Sequence, residues 1–426
     1  MRTVPSDQGD CCWIVSQLGA RQHYGVPRGF FYKSELRLLY TEAWCRWGRK
    51  LLSRGNRQLR AYAGRFHPDI PNKLVVSFDR TTLWEQAIGK HKAASIEQEY
   101  AEYLRVGKWF ATKVADDLRR RKFDRARDVF LGFNTGCLET TVLMNELGVP
   151  NIVDQIDPAA VEEQMVYEES QKWTGWQKAT GRVPDVYWQR MREEWAAANM
   201  ILVNSQWSKD ALVKQGVPAS KMFIVPVAYE AERSHVPSRK NMDGPFTVLW
   251  IGSVNLRKGI QYLIQAAKRL MDNPRIRIQV AGPLQISEQA AATAPRNMEF
   301  LGRITRDQTE EMYRKADVFV LPTISDGFAI TQVEAMAQAL PVITTPNCGE
   351  VVTPGVDGLI VPPFDGEALA AAISKLDADR ALLREMSYRA LDKSAHFYLP
   401  RQAQLVEEAV LNYRAGLPWD KSKYKI

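Results

Sequence analysis

The chain has 426 residues, 45% of them hydrophobic and 25% charged, with a formal net charge of +8. That length exceeds what one hydrophobic core usually organises, so a soluble protein of two domains is expected. No run approaches the ~18 apolar residues that cross a bilayer, which argues against a membrane-spanning protein. The five cysteines (Cys11, Cys12, Cys45, Cys137, Cys348) are scattered and form no CxxC pair, as are the five histidines. Neither a disulfide scaffold nor a zinc centre is expected. The polar start from Met1 to Asp10 lacks an apolar signal core, so a cytoplasmic protein is expected. Residues 1–130 hold 25 Lys plus Arg against 14 Asp plus Glu, a net of +11, leaving about −3 for the rest. A basic N-terminal half suits an anionic partner or an anionic membrane surface, and equally a solvated positive face. With no recognition motif beside the charge, a nucleic-acid partner is not expected.

In chain order, Cys11 to Leu18 reads as a buried strand that ends in the loop Gly19-Ala20-Arg21. Residues 31–64 read as helical and basic, and Leu74 to Phe78 as a short strand. A helix over 94–120 precedes the strand Asp128–Phe133, a polar turn and a helix from Leu138 to Leu147. Ile152 to Asp154 reads as a strand, followed by a long helical stretch rich in Glu and Trp whose Glu168 and Glu169 fit a solvated face. Met200 to Asn204 reads as a strand, with Ser205 capping the next helix. The turn-rich stretch Asn241–Pro245 reads as a linker.

The second half is more regular. Thr247–Ile251 predicts a strand, Gly252–Gly259 a loop, and Ile260, Leu263, Ile264, Ala267 and Leu270 one face of a helix. Further strands are expected at Arg275–Val280, Asp317–Leu321, Pro341–Thr345 and Leu359–Val361, and helices around Asp307–Lys315 and Thr331–Ala339. A final helix spans about Arg401 to Arg414. Strands alternating with helices imply parallel sheets covered on both faces, with ligands beyond the carboxyl edges.

Three features would leave such an edge. The loop Gly252-Ser253-Val254-Asn255-Leu256-Arg257-Lys258-Gly259 offers close backbone approach, helix amides and two cations to a diphosphate, although an Arg-Lys pair is often plain surface. Asp326 can accept from sugar hydroxyls, and the amides of Gly327, Phe328, Ala329 and Ile330 can meet a sugar or a phosphate; Asp-Gly is also a common turn. Glu334 can hold ribose hydroxyls, or close a capping box with Thr331.

The stretch from Thr247 to Pro362 resembles family 4 of the retaining glycosyltransferases. The resemblance rests on Gly252…Arg257-Lys258-Gly259, on an acidic-x7-Glu pattern from Asp326 to Glu334, and on Pro341–Thr345 followed by Gly349-Glu350 and Gly358–Val361. Residues 200–230 resemble the end of the family's first domain, and residues 1–199 match loosely. The resemblance implies the GT-B fold: two Rossmann-like α/β domains with parallel sheets facing a central cleft. The expected division is 1–243 for the acceptor side and 246–398 for the donor side, with a helix at about 400–420 packing back on the first.

The resemblance also implies roles. Arg257 and Lys258 hold the diphosphate, Asp326 the sugar and Glu334 the ribose. The base sits near Gly282-Pro283-Leu284 and Gly302-Arg303-Ile304. Gly19 opens the loop facing donor and acceptor. From their position just after that loop, and not from the resemblance, His23 and Tyr24 can line the acceptor pocket, or His23 can be structural. The implied reaction is retaining, metal-independent transfer from a UDP- or GDP-sugar to a glycan, lipid-linked, small-molecule or anionic acceptor, with no cofactor besides the donor substrate. It is expected in the cytoplasm or peripheral on the inner membrane face. Two positions depart from the family: Ser253 stands where it often has Arg, and Asp326 where its first acid is Glu. A non-catalytic sugar-nucleotide-binding subunit, an epimerase of the same fold and a phosphorylase are the alternatives. No lysine suits the phosphorylase's pyridoxal cofactor.

Overall fold

A computed structural model describes residues 11–79, 95–177, 181–230, 244–417 and 419. The polar start, most of the Asn241–Pro245 linker and the tail from Lys421 lie outside the described residues.

The first half builds a seven-stranded sheet from β1 (Cys12–Ser16), β2 (Leu36–Thr41), β3 (Val75–Ser77), β4 (Asp128–Phe133), β5 (Asn151–Gln155), β6 (Met200–Val203) and β7 (Met222–Ile224). Their order is β3-β2-β1-β4-β5-β6-β7, and every pairing is parallel. The second half builds a six-stranded parallel sheet from β8 (Phe246–Ile251), β9 (Ile276–Ala281), β10 (Met298–Gly302), β11 (Val318–Leu321), β12 (Val342–Thr344) and β13 (Gly358–Ile360). Its order is β10-β9-β8-β11-β12-β13. Central strands such as β4 and β11 are buried along their whole length, as parallel strands covered by helices must be.

The predicted helical face is the one that packs. Ile260, Leu263, Ile264, Ala267 and Leu270 of the helix Ile260–Leu270 are all buried in the second core. Ser205 caps the helix Gln206–Lys214 by accepting from the Ser208 amide. The last helix, Leu399–Arg414, crosses back: Leu405, Val406, Ala409 and Val410 are buried in the core of the first sheet.

The helical reading of 31–64 is corrected. Leu36–Thr41 is strand β2, parallel to β1, and only two short helices follow, Arg49–Leu52 and Arg57–Ala63. A run as short as Leu-Arg-Leu-Leu-Tyr carries no periodicity that separates strand from helix.

The two carboxyl edges face each other. A Cβ on Gly327, in the loop after β11, would lie 2.1 Å from the carbonyl oxygen of Ile156, just after β5, so only glycine fits there. Trp207 Nε1 donates to Ser325 Oγ at 3.1 Å, and Ser208 Oγ to the Gly327 carbonyl at 3.4 Å. Further out, Glu169 on the helix Ala160–Lys172 is completely buried and accepts from Gln261 Nε2 and Tyr262 OH of the helix Ile260–Leu270. Glu168 stays exposed, so the solvated-face reading holds for one of the pair and fails for Glu169. Beyond that helix, Trp176 packs against the second core and its carbonyl accepts from the Ser287 amide.

Candidate active site

Two close approaches build the carboxyl edge of the second sheet. Gly259 sits at φ +74°, and a Cβ there would lie 1.7 Å from the Pro322 carbonyl oxygen. Gly282 sits at φ +138°, where a Cβ would lie 1.7 Å from the Gly252 oxygen. Both positions need glycine for conformation and for space. The Gly252 amide donates to Ala281, Val254 to Pro283 and Gly282 to Gly302, which brings three predicted loops side by side.

Asn255 caps the short turn Leu256–Lys258 by accepting from the Lys258 amide. The Arg257 carbonyl accepts from the Ile324 amide and Thr323 Oγ1, tying this loop to the one after β11. The side chains then converge. Lys258 Nζ pairs with Asp326 Oδ2, and Arg257 Nη1 lies 3.5 Å from the same oxygen. Arg257 also reaches across to Glu162, at 3.3 Å. Asp326 Oδ1 accepts from the amides of Phe328 (3.3 Å) and Ala329 (3.1 Å). The Asp-Gly turn and the Asp326 ion pair are therefore both present, one on each carboxylate oxygen. Ala329 is held at φ +58°, an uncommon conformation for a non-glycine residue.

Glu334 makes no capping box: the helix Thr331–Ala337 starts from Ile330 without a side-chain cap. Its carboxylate instead accepts from Tyr313 OH at 3.1 Å. Burial raises its pKa above the usual carboxylate value, and the Tyr313 bond opposes that rise. Glu334 opens into a cavity of about 630 Å³ between the halves, walled by Ile251, Ile330, Arg306 and Tyr313 on one side and by Gln22, His23, Arg28 and His67 on the other. Gln22, His23 and Tyr24 all have positive φ (49°, 49° and 61°), so this first loop holds backbone strain where it meets the cavity.

A second cavity of about 350 Å³ lies on the first half, next to Arg257. Asp157, Glu162 and Glu163 line it together with Tyr100, Tyr187 and Trp188. Burial raises the Asp157 and Glu162 carboxyls; the Ala159 amide then lowers the first and the Arg257 charge the second. Burial likewise pushes Asp154, at the end of β5, up to about 7.

The other predicted residues fall as follows. Gly19 has φ +82° and donates its amide to Glu42, which also pairs with Arg65. Gly252 and Ser253 are partly exposed beside the turn Leu256–Lys258. Leu284 is exposed, Arg303 is exposed and Ile304 is half-buried, at the ends of β9 and β10. The Phe328 ring leaves the cleft and packs on Phe397 in the core, so only its backbone faces the site. Tyr24 is also core, buried against Trp44, so of the pair with His23 only His23 lines the cleft. Glu162 and Tyr313 were missed, because their partners Arg257 and Glu334 lie 95 and 21 residues away in the chain. Asp157 was missed too; its hydrogen-bond partners Gln155 and Ala159 are local and carry no sign of a cavity. Among the described residues no group of three His, Cys, Asp or Glu side chains could hold a metal ion.

Two parallel-sheet Rossmann-like units with facing carboxyl edges are the GT-B fold. Residues 232–393 match the family model Glycosyl transferases group 1. An uncharacterized glycosyltransferase of Methanocaldococcus jannaschii is 25% identical over 164 residues, covering 37% of this chain and 42% of that protein. The amylovoran biosynthesis glycosyltransferase AmsK of Erwinia amylovora is 25% identical over 201 residues, covering 44% and 49%. The chain thus spans about half the length of these curated relatives. Among solved structures, Alr3699/HepE of Anabaena, in complex with UDP and glucose, superposes with a TM-score of 0.59 at 15% identity, covering 94% of this chain and all of that one (100%).

Proposed function

We propose that this protein is a retaining, metal-independent glycosyltransferase that uses a UDP- or GDP-sugar. The observation that carries the reading is the cluster in which Arg257, Lys258 and Asp326 meet at one cleft edge, across from Glu162. In this reading a donor diphosphate takes over Lys258 and Arg257, and Asp326 is released to the sugar hydroxyls. Two cations held in place before the reaction stabilise the leaving diphosphate in a site that excludes water. Glu334, in its adjoining cavity, takes the ribose, and the loops at Gly282–Leu284 and Gly302–Ile304 flank the base. The backbone amide of Ile330 and the Gly327 turn complete the sugar-side wall. The division into an acceptor unit, 1–243, and a donor unit, 246–398, belongs to the same reading. UDP in the Anabaena relative's complex favours uridine as the first base to test.

On the acceptor side, the acid-lined and aromatic-walled second cavity suits a neutral, hydroxyl-bearing sugar better than an anionic group. Aromatic faces pack on sugar C–H surfaces while carboxylates accept from hydroxyls. The acceptor is then a glycan or lipid-linked sugar, and the basic first half would meet an anionic membrane on the cytoplasmic face. No described helix is long and apolar enough to cross a membrane.

The test is transfer by the purified chain from labelled UDP- and GDP-sugars to glycan and lipid-linked acceptors. A product of retained anomeric configuration is expected. Release of an altered free sugar without acceptor would point to the epimerase. Tight donor binding without turnover would favour the second reading, a non-catalytic partner subunit, for which Asp326 and Ser253 are the specific support.

A further inference from the structure

The two most exposed large hydrophobic residues among those described are Trp47, at 84%, and Leu51, at 76%. They lie on one hairpin, formed by the short helices Arg49–Leu52 and Arg57–Ala63, together with Leu59 at 41%. From residue 43 to residue 68 the chain holds seven Lys and Arg and no acidic residue. Lys50, Arg54 and Arg60 are exposed, and none is ion-paired among the described residues.

The hairpin stands on a fixed base. Trp44 is buried and donates its indole N–H to Asn72 at 2.8 Å, while the Cys45 amide donates to the Arg65 carbonyl at 2.7 Å. That base adjoins the cleft: Arg65 pairs with Glu42, which holds the Gly19 amide. An apolar tip that costs free energy in water, ringed by unpaired cations and held rigid at its root, matches the headgroup zone of a bilayer. There the indole and leucines leave water and the cations meet anionic lipid. A nucleic acid would use the cations and leave Trp47 and Leu51 unexplained.

We propose that the hairpin Trp47–Arg60 is the surface by which the protein docks on an anionic lipid bilayer, with the Gly19 side of the cleft turned toward the membrane. The docking itself stands on the hairpin alone; its use in delivering a lipid-linked acceptor rests on the transferase reading above.

Sedimentation of the full chain with vesicles tests it. Binding is expected to phosphatidylcholine vesicles that contain phosphatidylglycerol and not to phosphatidylcholine alone. Trp47→Ser with Leu51→Ser, and separately Arg54→Glu with Arg60→Glu, should each weaken the partition at least about tenfold. Thermal melts and nucleotide-sugar binding should stay at the parent's values, because these side chains are exposed and lie outside the proposed donor site. Equal partition of variants and parent, or no vesicle binding by the parent, overturns the proposal. So does loss of a dimer in the Trp47→Ser, Leu51→Ser variant, which would make the patch a contact between copies. Vesicle binding without any donor binding would sink the transferase reading and leave the docking surface standing.

Discussion

Tyr262 OH donates a 2.7 Å hydrogen bond to the carboxylate of Glu169, which has no exposed surface. The two residues belong to opposite halves of the chain, and Gln261 Nε2 adds a second bond at 3.1 Å. Lys172 is the charge partner, at 2.9 Å from the other oxygen. A buried carboxylate that loses a donor keeps its desolvation cost and loses the compensation. Tyr262→Phe should therefore lower stability by about 1–3 kcal/mol in chemical denaturation, through the contact between the halves. Proteolysis between the halves should quicken in step. A variant as stable and as resistant as the parent would show that this contact does not hold the cleft together.

Lys258 is drawn below its ordinary pKa, first by burial and then by the Arg257 charge, while Glu162 pulls the other way. A diphosphate favours the charged form. Nucleotide-sugar binding in alkaline buffer should then take up a proton, and affinity should fall as pH rises. Calorimetry in buffers of different ionisation heat reads the uptake. Lys258→Met should abolish the proton uptake and cut kcat by roughly 10²–10³, the scale of losing one preorganised donor to a developing charge. Uptake that persists in the variant would assign the proton elsewhere.

Glu334 separates two roles that coincide in the sequence. A capping box would make Glu334→Gln a stability variant. Since the helix Thr331–Ala337 has no such cap, the melting temperature should move little. The donor dissociation constant should rise about tenfold, as for one charge-assisted hydrogen bond. The reverse pattern, a lower melt with unchanged donor binding, would return Glu334 to a structural role.

Asp154 gives a pH signature of the fold. Burial raises it from 3.8 to about 7, with Arg21 acting against the rise. The folded chain then binds more protons than the unfolded chain between those values, so stability falls as pH rises through the interval. Asp154→Asn removes this loss. Its advantage over the parent should be small in acid and grow to about 1–2 kcal/mol above neutral pH, after discounting for partial exposure. A difference that does not change with pH would mean that Asp154 ionises normally.

What the sequence made legible follows from locality. Loop, cap and helix-face signals sit within one turn of the residues they govern. Ser205, the face of Ile260–Leu270 and the glycines at Gly259 and Gly282 were readable for that reason. Strand β2 was not, since the six residues Leu36–Thr41 are too few for their periodicity to separate strand from helix. The capping box at Glu334 failed for the opposite reason: a local pattern was present, and Tyr313, 21 residues away in sequence, claimed the carboxylate. Glu169 shows the same limit, its partners Gln261 and Tyr262 being 92 and 93 positions distant. The cluster of Arg257, Lys258 and Asp326 lay in between. The residues of the edge could be named from their chemistry, but the bridge from Arg257 to Glu162 depends on how the two halves meet.

The most direct measurement is a calorimetric titration of the full chain with uridine, guanosine and adenosine diphosphate sugars, repeated for Lys258→Met and Glu334→Gln. Saturable binding of one donor class, weakened at least about tenfold in each variant, is the result expected of a cation pair and a ribose-holding carboxylate. Binding of none of these donors, or equal binding by parent and both variants, would contradict the account.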